Sequence, residues 1–228
     1  MVTGAPQPAY RETERAGAIL AVETTGSACS VALVSESEVL ELTRIAPRRH
    51  NALALEMVDA VMASAGRSAE CLEAVAFSAG PGSFTGVRIG AAIAQGIALG
   101  GGIPVIRVPT SEVAAEQVRQ RNGVAVGVVV TRGARSGWVY AARYRFARTG
   151  LECAAFDTLV PEDMPADIPD GWLLVRREQP LRAAVVGTLA SGRPKLDPDR
   201  AVPFYVEGDS PWRKMDQVRQ EPASSPDG

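Results

Sequence analysis

A glycine-rich segment, residues 78–90, separates a short apolar run from a longer one and restricts the fold more than any other feature of the sequence. The apolar run 74–77 is typical of a buried strand, and the Ala-rich stretch after the glycines predicts a helix over 86–99. Gly90 and Gly96 interrupt that helix, each at a cost of about 1 kcal/mol relative to Ala, so we expect close backbone packing there. A strand, a glycine loop and an apolar helix in this order predict an α/β fold.

The order of the other predicted elements indicates two lobes, each with a mixed sheet. Hairpins and helical crossovers occur in one unit, and the second half is richer in alternating strand patterns. We predict strands over 18–22, 28–34, 39–45, 74–77, 103–108, 124–131, 138–147, 151–160 and 172–175, a turn over 132–137, and helices over 51–65, 86–99, 110–121 and 180–191. Asn51 is predicted to cap the first helix and Gly66 to end it.

These patterns divide the chain into four regions. We expect a disordered leader over 1–16, a first lobe with the glycine loop over 17–107, a second, smaller lobe over 108–206, and a polar tail over 207–228. The helix over 180–191 is a candidate to pack back against the first lobe. The hinge between the lobes is expected near residues 107–110, where crossover patterns give way to hairpin patterns.

Histidine and cysteine content argues against a metal site. The chain contains one histidine, His50, which has no partner at H-E-x-x-H or H-x-x-x-H spacing. Cys29, Cys71 and Cys153 form no C-x-x-C pair, which favours a reducing cytoplasm over a disulfide framework. The first apolar run, 18–22, is too short for a signal sequence or a membrane span. A formal net charge of −2 gives no overall attraction to nucleic acid or anionic membranes.

Motifs of the common catalytic and nucleotide-binding sites are absent from the sequence. No serine lies in G-x-S-x-G or S-x-x-K, the glycine spacing differs from G-x-G-x-x-G, and no G-K-[ST] ends the loop. The loop still places hydroxyls and helix amides after a strand, which suits an anion, and the turn over 23–27 could hold a metal-bound phosphate. The alternative is structural: the glycines let the crossover pass close to the first hairpin, and the turn is an ordinary one.

Four segments together resemble one known family. They cover residues 19–25, 28–33, 47–50 and, above all, the glycine loop 80–90. In these segments the chain resembles the TsaB (YeaZ) family of bacterial tRNA threonylcarbamoyladenosine biosynthesis proteins. The similarity is dense over about 18–120 and thins in the second half to 137–140 and 203–205. It implies the actin-like ATPase fold, of the ASKHA or ribonuclease H-like type, with two lobes that each contain a mixed β-sheet flanked by helices.

This resemblance implies a scaffold or activator subunit without catalytic residues. Family members are non-catalytic paralogues of TsaD, and they act with TsaD and the ATPase TsaE in threonylcarbamoyl transfer to adenosine 37 of tRNAs that read ANN codons (t6A biosynthesis). The resemblance implies a homodimer when the chain is alone, indirect contact with tRNA through the complex, and no membrane. It implies no cofactor, with ATP or ADP bound only in the assembled complex, and no metal, since TsaD uses an H-x-x-x-H pair that His50 alone cannot form.

The resemblance also assigns two sets of candidate residues. A vestigial nucleotide or anion loop is assigned to Glu23, Thr24, Thr25, Gly80, Gly82, Ser83, Phe84, Thr85, Gly86 and Arg88. Contacts with the partner are assigned to the two helices of the first lobe, through His50, Leu53, Leu55, Met57, Val58, Met62, Ile89, Ile93 and Ile97. Leu53 and Leu55 lie outside the apolar stripe of the first helix, which independently indicates an exposed apolar face.

Three positions depart from the family pattern, and two other functions stay open. Glu23 stands where Asp is usual, Gly133 begins a segment that is usually Asp-Ala-Arg-like, and Glu207 ends a segment that is usually Tyr-x-Arg. An actin-like ATPase or kinase would require ATP turnover although the second lobe lacks the Gly-Gly turn of active members. An M22-type, glycoprotease-like peptidase would require a metal or a nucleophile.

Overall fold

The computed structural model describes residues 17–45, 47–122, 125–163, 168–176 and 179–206. These residues form two mixed β-sheets with helices packed against them, so the predicted α/β architecture is confirmed. The leader predicted over 1–16 and the tail predicted over 207–228 lie outside the described residues. No helix within the described ranges is both long and apolar enough to cross a bilayer.

The first sheet has five strands in the order β3-β2-β1-β4-β5. They are β1 (Ala18–Glu23), β2 (Ala28–Val34), β3 (Val39–Ile45), β4 (Leu72–Ser78) and β5 (Val105–Val108). β1 is central, and every residue in it is buried, which explains its unbroken apolar run. It pairs antiparallel with β2 and parallel with β4. A bridge between Val105 and Leu196 covers part of the β5 edge.

Two helices, α1 (His50–Ser64) and α2 (Phe84–Gly101), cover one face of this sheet. The predicted N-cap Asn51 is wrong, because α1 begins one residue earlier with Arg49 as its N-cap. Gly66 ends α1 as predicted: its φ is 61°, and its N–H donates to the Ala63 carbonyl at 3.0 Å. α2 begins at Phe84 instead of the predicted residue 86, because Ser83 Oγ caps it by accepting the Gly86 N–H at 3.3 Å.

The second sheet has four strands in the order β8-β7-β6-β9. They are β6 (Gly127–Gly133), β7 (Trp138–Ala147), β8 (Gly150–Pro161) and β9 (Trp172–Val175). β6 and β9 are parallel, and the other pairs are antiparallel. The predicted turn over 132–137 is wrong at its start, because β6 continues its pairing with β7 as far as Gly133 and Val139. Arg132 therefore lies in a strand.

A shared hydrophobic core joins the two sheets through α3 (Thr110–Arg119) and α4 (Ala183–Ala190). α4 packs on the first sheet, where a Cβ placed on Gly187 would lie 2.5 Å from Val34 Cγ2. Side chains of that sheet cap the helix: the Ala183 N–H donates to Ser30 Oγ and the Ala184 N–H to Glu41 Oε1, both at 3.0 Å. α4 is shorter than the predicted 180–191, because residue 182 has extended backbone.

Candidate functional site

The glycine loop packs directly against the polar turn that follows β1, residues 23–27. A Cβ on Gly86 would lie 2.1 Å from the Thr24 carbonyl oxygen, and a Cβ on Gly82 would lie 2.8 Å from Thr25 Cβ. The Ser83 N–H donates to the Thr25 carbonyl at 2.9 Å, which fixes the loop in register with the turn. The glycines are therefore needed for close passage past the first hairpin, the structural alternative that the sequence left open.

The two glycines inside α2 differ in their surroundings. A Cβ on Gly90 would lie 2.8 Å from Thr24 Oγ1, so the predicted close packing is confirmed there. The same prediction is wrong for Gly96, because no atom of the described residues lies within 4 Å of its added Cβ. The difference follows from the helix face, since Gly90 is buried towards the polar turn and Gly96 is exposed.

Three polar side chains of the turn, those of Glu23, Thr24 and Thr25, are buried and make hydrogen bonds within the turn or to the loop. Glu23, Thr24 and Thr25 are each at most 1% exposed. Glu23 Oε1 accepts hydrogen bonds from both the N–H and the Oγ1 of Thr25, each at 2.6 Å. Thr24 Oγ1 donates to the Gly86 carbonyl at 2.8 Å. The Thr24 and Thr25 hydroxyls, two of those that the sequence offered for a phosphate, thus both donate to acceptors of the first lobe.

The first residue of α3 and a segment near the end of the described chain hold the other end of the loop. Gly80, with a φ of 104°, donates its N–H to Thr110 Oγ1 at 3.0 Å and accepts the Thr110 N–H at 2.8 Å. The Phe204 N–H donates to the Ala79 carbonyl at 2.7 Å. Residues 107–110, the predicted hinge, are therefore tied to the glycine loop at Thr110.

The beginning of α2 carries the loop candidates that reach the surface. Ser83, Phe84 and Thr85 are exposed. The Arg88 guanidinium lies 3.4 Å from the centroid of the Phe84 ring and 5.4 Å from that of Tyr205. The ten loop candidates therefore divide into a buried group around the polar turn and a surface group at the start of α2.

Arg132 of β6 is a residue of this site that the sequence analysis missed. It is 2% exposed, and its Nη2 donates to Thr25 Oγ1 at 3.3 Å. The two-residue alternation of a strand could have predicted this burial, because Arg132 lies on the same face of β6 as the buried Val128 and Val130. The sequence analysis assigned residue 132 to a turn over 132–137 and therefore did not apply this alternation to it.

A second polar cluster lies between α3 and the second sheet. Ser111 Oγ donates to Asp157 Oδ2 at 2.6 Å and lies 2.9 Å from the Tyr144 hydroxyl. Burial raises the pKa of Asp157 to about 6, although the Ser111 hydrogen bond and the charge of Arg132 act in the opposite direction. Burial likewise raises the pKa of Tyr144.

Asp157→Asn should remove part of the pH dependence of stability. The pKa of Asp157 is raised from about 4 in the unfolded chain to about 6 in the fold. The stabilising contribution is therefore complete below about pH 4 and lost as the pH rises through about 6. We expect the stability of the variant relative to wild type to increase by about 2 kcal/mol between pH 4 and pH 7.5. Urea unfolding across this range measures it, and a pH-independent difference would refute the assignment.

The partner candidates on α1 and α2 divide by burial. His50, Leu53, Met57 and Val58 lie in the core of their own lobe, so the expectation that Leu53 lies outside the buried stripe is wrong. His50 Nε2 lies 3.1 Å from the Ala28 carbonyl. Leu55 is 53% exposed, and the half-buried members of the set are Met62, Ile89, Ile93 and Ile97. The accessible apolar face, defined by these last five residues, is narrower than predicted because α1 turns Leu53 inward.

Metal-binding side chains do not gather in the described part of the chain. No group of three or more His, Cys, Asp or Glu residues there could hold a metal ion. The cysteines are free thiols, and burial raises the pKa of Cys29 to about 11, with the charge of Glu23 acting in the same direction. A thiol in that state is a poor nucleophile and a poor metal ligand.

Known proteins resemble this chain in sequence and in fold. The family model for TsaD, tRNA N6-adenosine threonylcarbamoyltransferase, matches residues 42–163. The tRNA threonylcarbamoyladenosine biosynthesis protein TsaB of Escherichia coli (strain K12) is 42% identical over 133 residues, 58% of this chain and 57% of that protein. TsaB of Buchnera aphidicola subsp. Schizaphis graminum is 30% identical over 176 residues, 72% of this chain and 83% of that protein. The chain belongs to the TsaB family.

A solved structure extends the TsaB similarity to nearly the whole described chain. A Pseudomonas aeruginosa protein, described as similar to peptidase YeaZ, matches with a TM-score of 0.77 and 27% identity over 84% of this chain and 100% of that one. The actin-like fold predicted from the TsaB resemblance is confirmed. The match to the TsaD model fits the paralogous relationship. The chain spans about half the length of the first curated TsaB relatives that it matches.

Proposed function

We propose that this chain is a non-catalytic scaffold or activator subunit in t6A biosynthesis, the pathway named in the descriptions of its TsaB relatives. One observation of the structure carries the proposal beyond the family name. The polar turn and the glycine loop are bonded to each other, and Gly86 is in contact with the Thr24 backbone. The Thr24 and Thr25 hydroxyls donate internal hydrogen bonds instead of being directed at a substrate.

The proposed partner is TsaD, which binds at the accessible apolar face of α1 and α2. Leu55 on α1 is exposed, and Ile89, Ile93 and Ile97 recur on α2 at helical spacing. Apolar side chains that stay accessible on adjacent helices, exposed at Leu55 and half-buried on α2, favour burial against a second helical surface. On the same basis we propose a homodimer when the chain is alone. From the TsaB resemblance we propose TsaE as a further partner and indirect contact with tRNA through the complex.

The chain is proposed to work in the cytoplasm without a cofactor of its own, with ATP or ADP bound only in the assembled complex. The committed hydrogen bonds of Thr24 and Thr25 support this part of the proposal. The isolated chain should contain no stoichiometric iron or zinc and hydrolyse no ATP above background. One equivalent of metal that is lost in His50→Ala, or ATP turnover by the chain alone, would instead favour the peptidase or the ATPase function.

Reconstitution with the TsaD and TsaE of the same genome, supplied with tRNA and an activated threonylcarbamoyl donor, tests the proposal directly. We expect the chain and TsaD to elute as one complex, and threonylcarbamoyl transfer to tRNA to require both. Omission of the chain should abolish transfer, and omission of TsaD should do the same. Transfer by TsaD and TsaE at an equal rate without the chain would contradict an activator function.

A further inference from the structure

We infer that Arg132 is a latch between the two lobes: its guanidinium, carried by the second sheet, holds the polar turn of the first lobe in place. The inference concerns the relative position of the lobes. It does not depend on the proposed partner.

The contact joins residues that are distant in sequence and lie in different sheets. Arg132 belongs to β6, whereas the polar turn follows β1 of the first sheet. Thr25 Oγ1 connects the two, because it accepts from Arg132 Nη2 at 3.3 Å and donates to Glu23 Oε1 at 2.6 Å. One hydroxyl thus lies between a buried cation and a buried carboxylate.

Because the Arg132 guanidinium is buried, its contact with Thr25 is energetically important. A guanidinium that is 2% exposed has lost most of its hydration, so it is stable only beside acceptors and negative charge. The carboxylate of Glu23 is joined to the guanidinium by the Thr25 hydroxyl, which bonds to both. Asp157 of β8 is a second negative group, because the charge of Arg132 acts to lower the pKa of Asp157. Arg132 is therefore linked to Glu23 of the first lobe through Thr25 and is attracted electrostatically to Asp157 of the second lobe.

Each of these three charged residues has one polar atom without a hydrogen-bond partner among the described residues. Glu23 Oε2, Arg132 Nε and Asp157 Oδ1 are buried without a hydrogen-bond partner in the described part of the chain. A buried donor or acceptor of this kind can be satisfied by an ordered water molecule.

The latch also reaches the glycine loop. The turn residue that Arg132 contacts accepts the Ser83 N–H through its carbonyl, at 2.9 Å. Gly26, next in the turn, has the same guanidinium 3.8 Å from the position of an added Cβ. A substitution at residue 132, which lies in the second sheet, should therefore alter the hydrogen bonds of the polar turn and the glycine loop in the first lobe.

Hydrogen exchange of individual amides tests the latch. Arg132→Met keeps the apolar stem of the side chain and removes the charge. In this variant we expect the amide protons of Thr25 and Ser83 to exchange at least about tenfold faster. Arg145→Met, an exposed arginine on β7, is the matched control and should leave both rates unchanged.

The location of the faster exchange separates a latch from a local role in the strand. Faster exchange limited to β6 and β7, or unchanged rates at Thr25 and Ser83, would overturn the inference. Should Arg132→Met fail to fold, Thr25→Val removes the acceptor from the opposite side. It should increase exchange in β6 around Arg132, and unchanged exchange there would also overturn the latch.

Discussion

Leu55→Glu should leave a folded monomer that no longer binds TsaD or a second copy of the chain. Leu55 is 53% exposed on α1, so a glutamate there is hydrated in the free protein. In a helical interface the same carboxylate would be buried without a partner, a change that costs about 3–5 kcal/mol. That cost corresponds to a loss of affinity of about 100-fold or more. Calorimetry with purified TsaD measures the affinity, and light scattering measures the dimer.

The control for this variant is Phe156→Glu, which places the same charge at another exposed apolar position. Phe156 is 81% exposed, but it lies on β8 of the second sheet. We expect this variant to bind TsaD as wild type does. If Leu55→Glu is folded and binds TsaD with unchanged affinity, or if Phe156→Glu is equally defective, the accessible apolar face of α1 and α2 is not the partner site.

Gly86→Ala should destabilise the first lobe by about 3 kcal/mol or more, at the upper end of the usual cost of overpacking. The added Cβ would lie 2.1 Å from the Thr24 carbonyl oxygen, which is a backbone atom and has no rotamer with which to move away. Either the turn shifts and loses its hydrogen bonds to the loop, or α2 moves off the sheet. A loss of this size should lower the melting temperature by about 6–12 °C, as measured by calorimetry.

Gly96→Ala is the matched control in the same helix. Within the described part of the chain its added Cβ meets no atom within 4 Å, and the position is exposed. Since glycine inside a helix costs about 0.5–1 kcal/mol relative to alanine, this variant should be more stable than wild type. Equal stability of Gly86→Ala and wild type would show that the loop and the turn are not in close contact.

Much of the fold could be predicted from local patterns. The bounds predicted for β7 and β9 agree with the structure at both ends, because alternation and flanking turn residues define such strands locally. Gly66 ended α1 as predicted because a positive φ favours glycine in any context. Helix starts were less predictable, since α4 is capped by Ser30 and Glu41 from a distant sheet.

Only part of the site could be predicted, again because some of its contacts join residues that are distant in sequence. The polar turn and the glycine loop were recognisable as segments, but their mutual contact depends on the three-dimensional path of the chain. Arg132 was missed because a charged residue near glycines is typical of a turn. Only the pairing of β6 with β7 shows that it is buried. Leu53 was misplaced because the exact rotation of α1 on the sheet is a tertiary property.

The t6A content of tRNA in a bacterium depleted of its own TsaB tests the central proposal most directly. Mass spectrometry of digested tRNA measures the ratio of t6A to adenosine in cells that express this chain, the Leu55→Glu variant or neither. The account predicts that the chain restores the ratio found with the bacterium's own TsaB and that Leu55→Glu does not. A ratio that stays at the depleted level, in cells where the chain is folded and bound to TsaD, would contradict it.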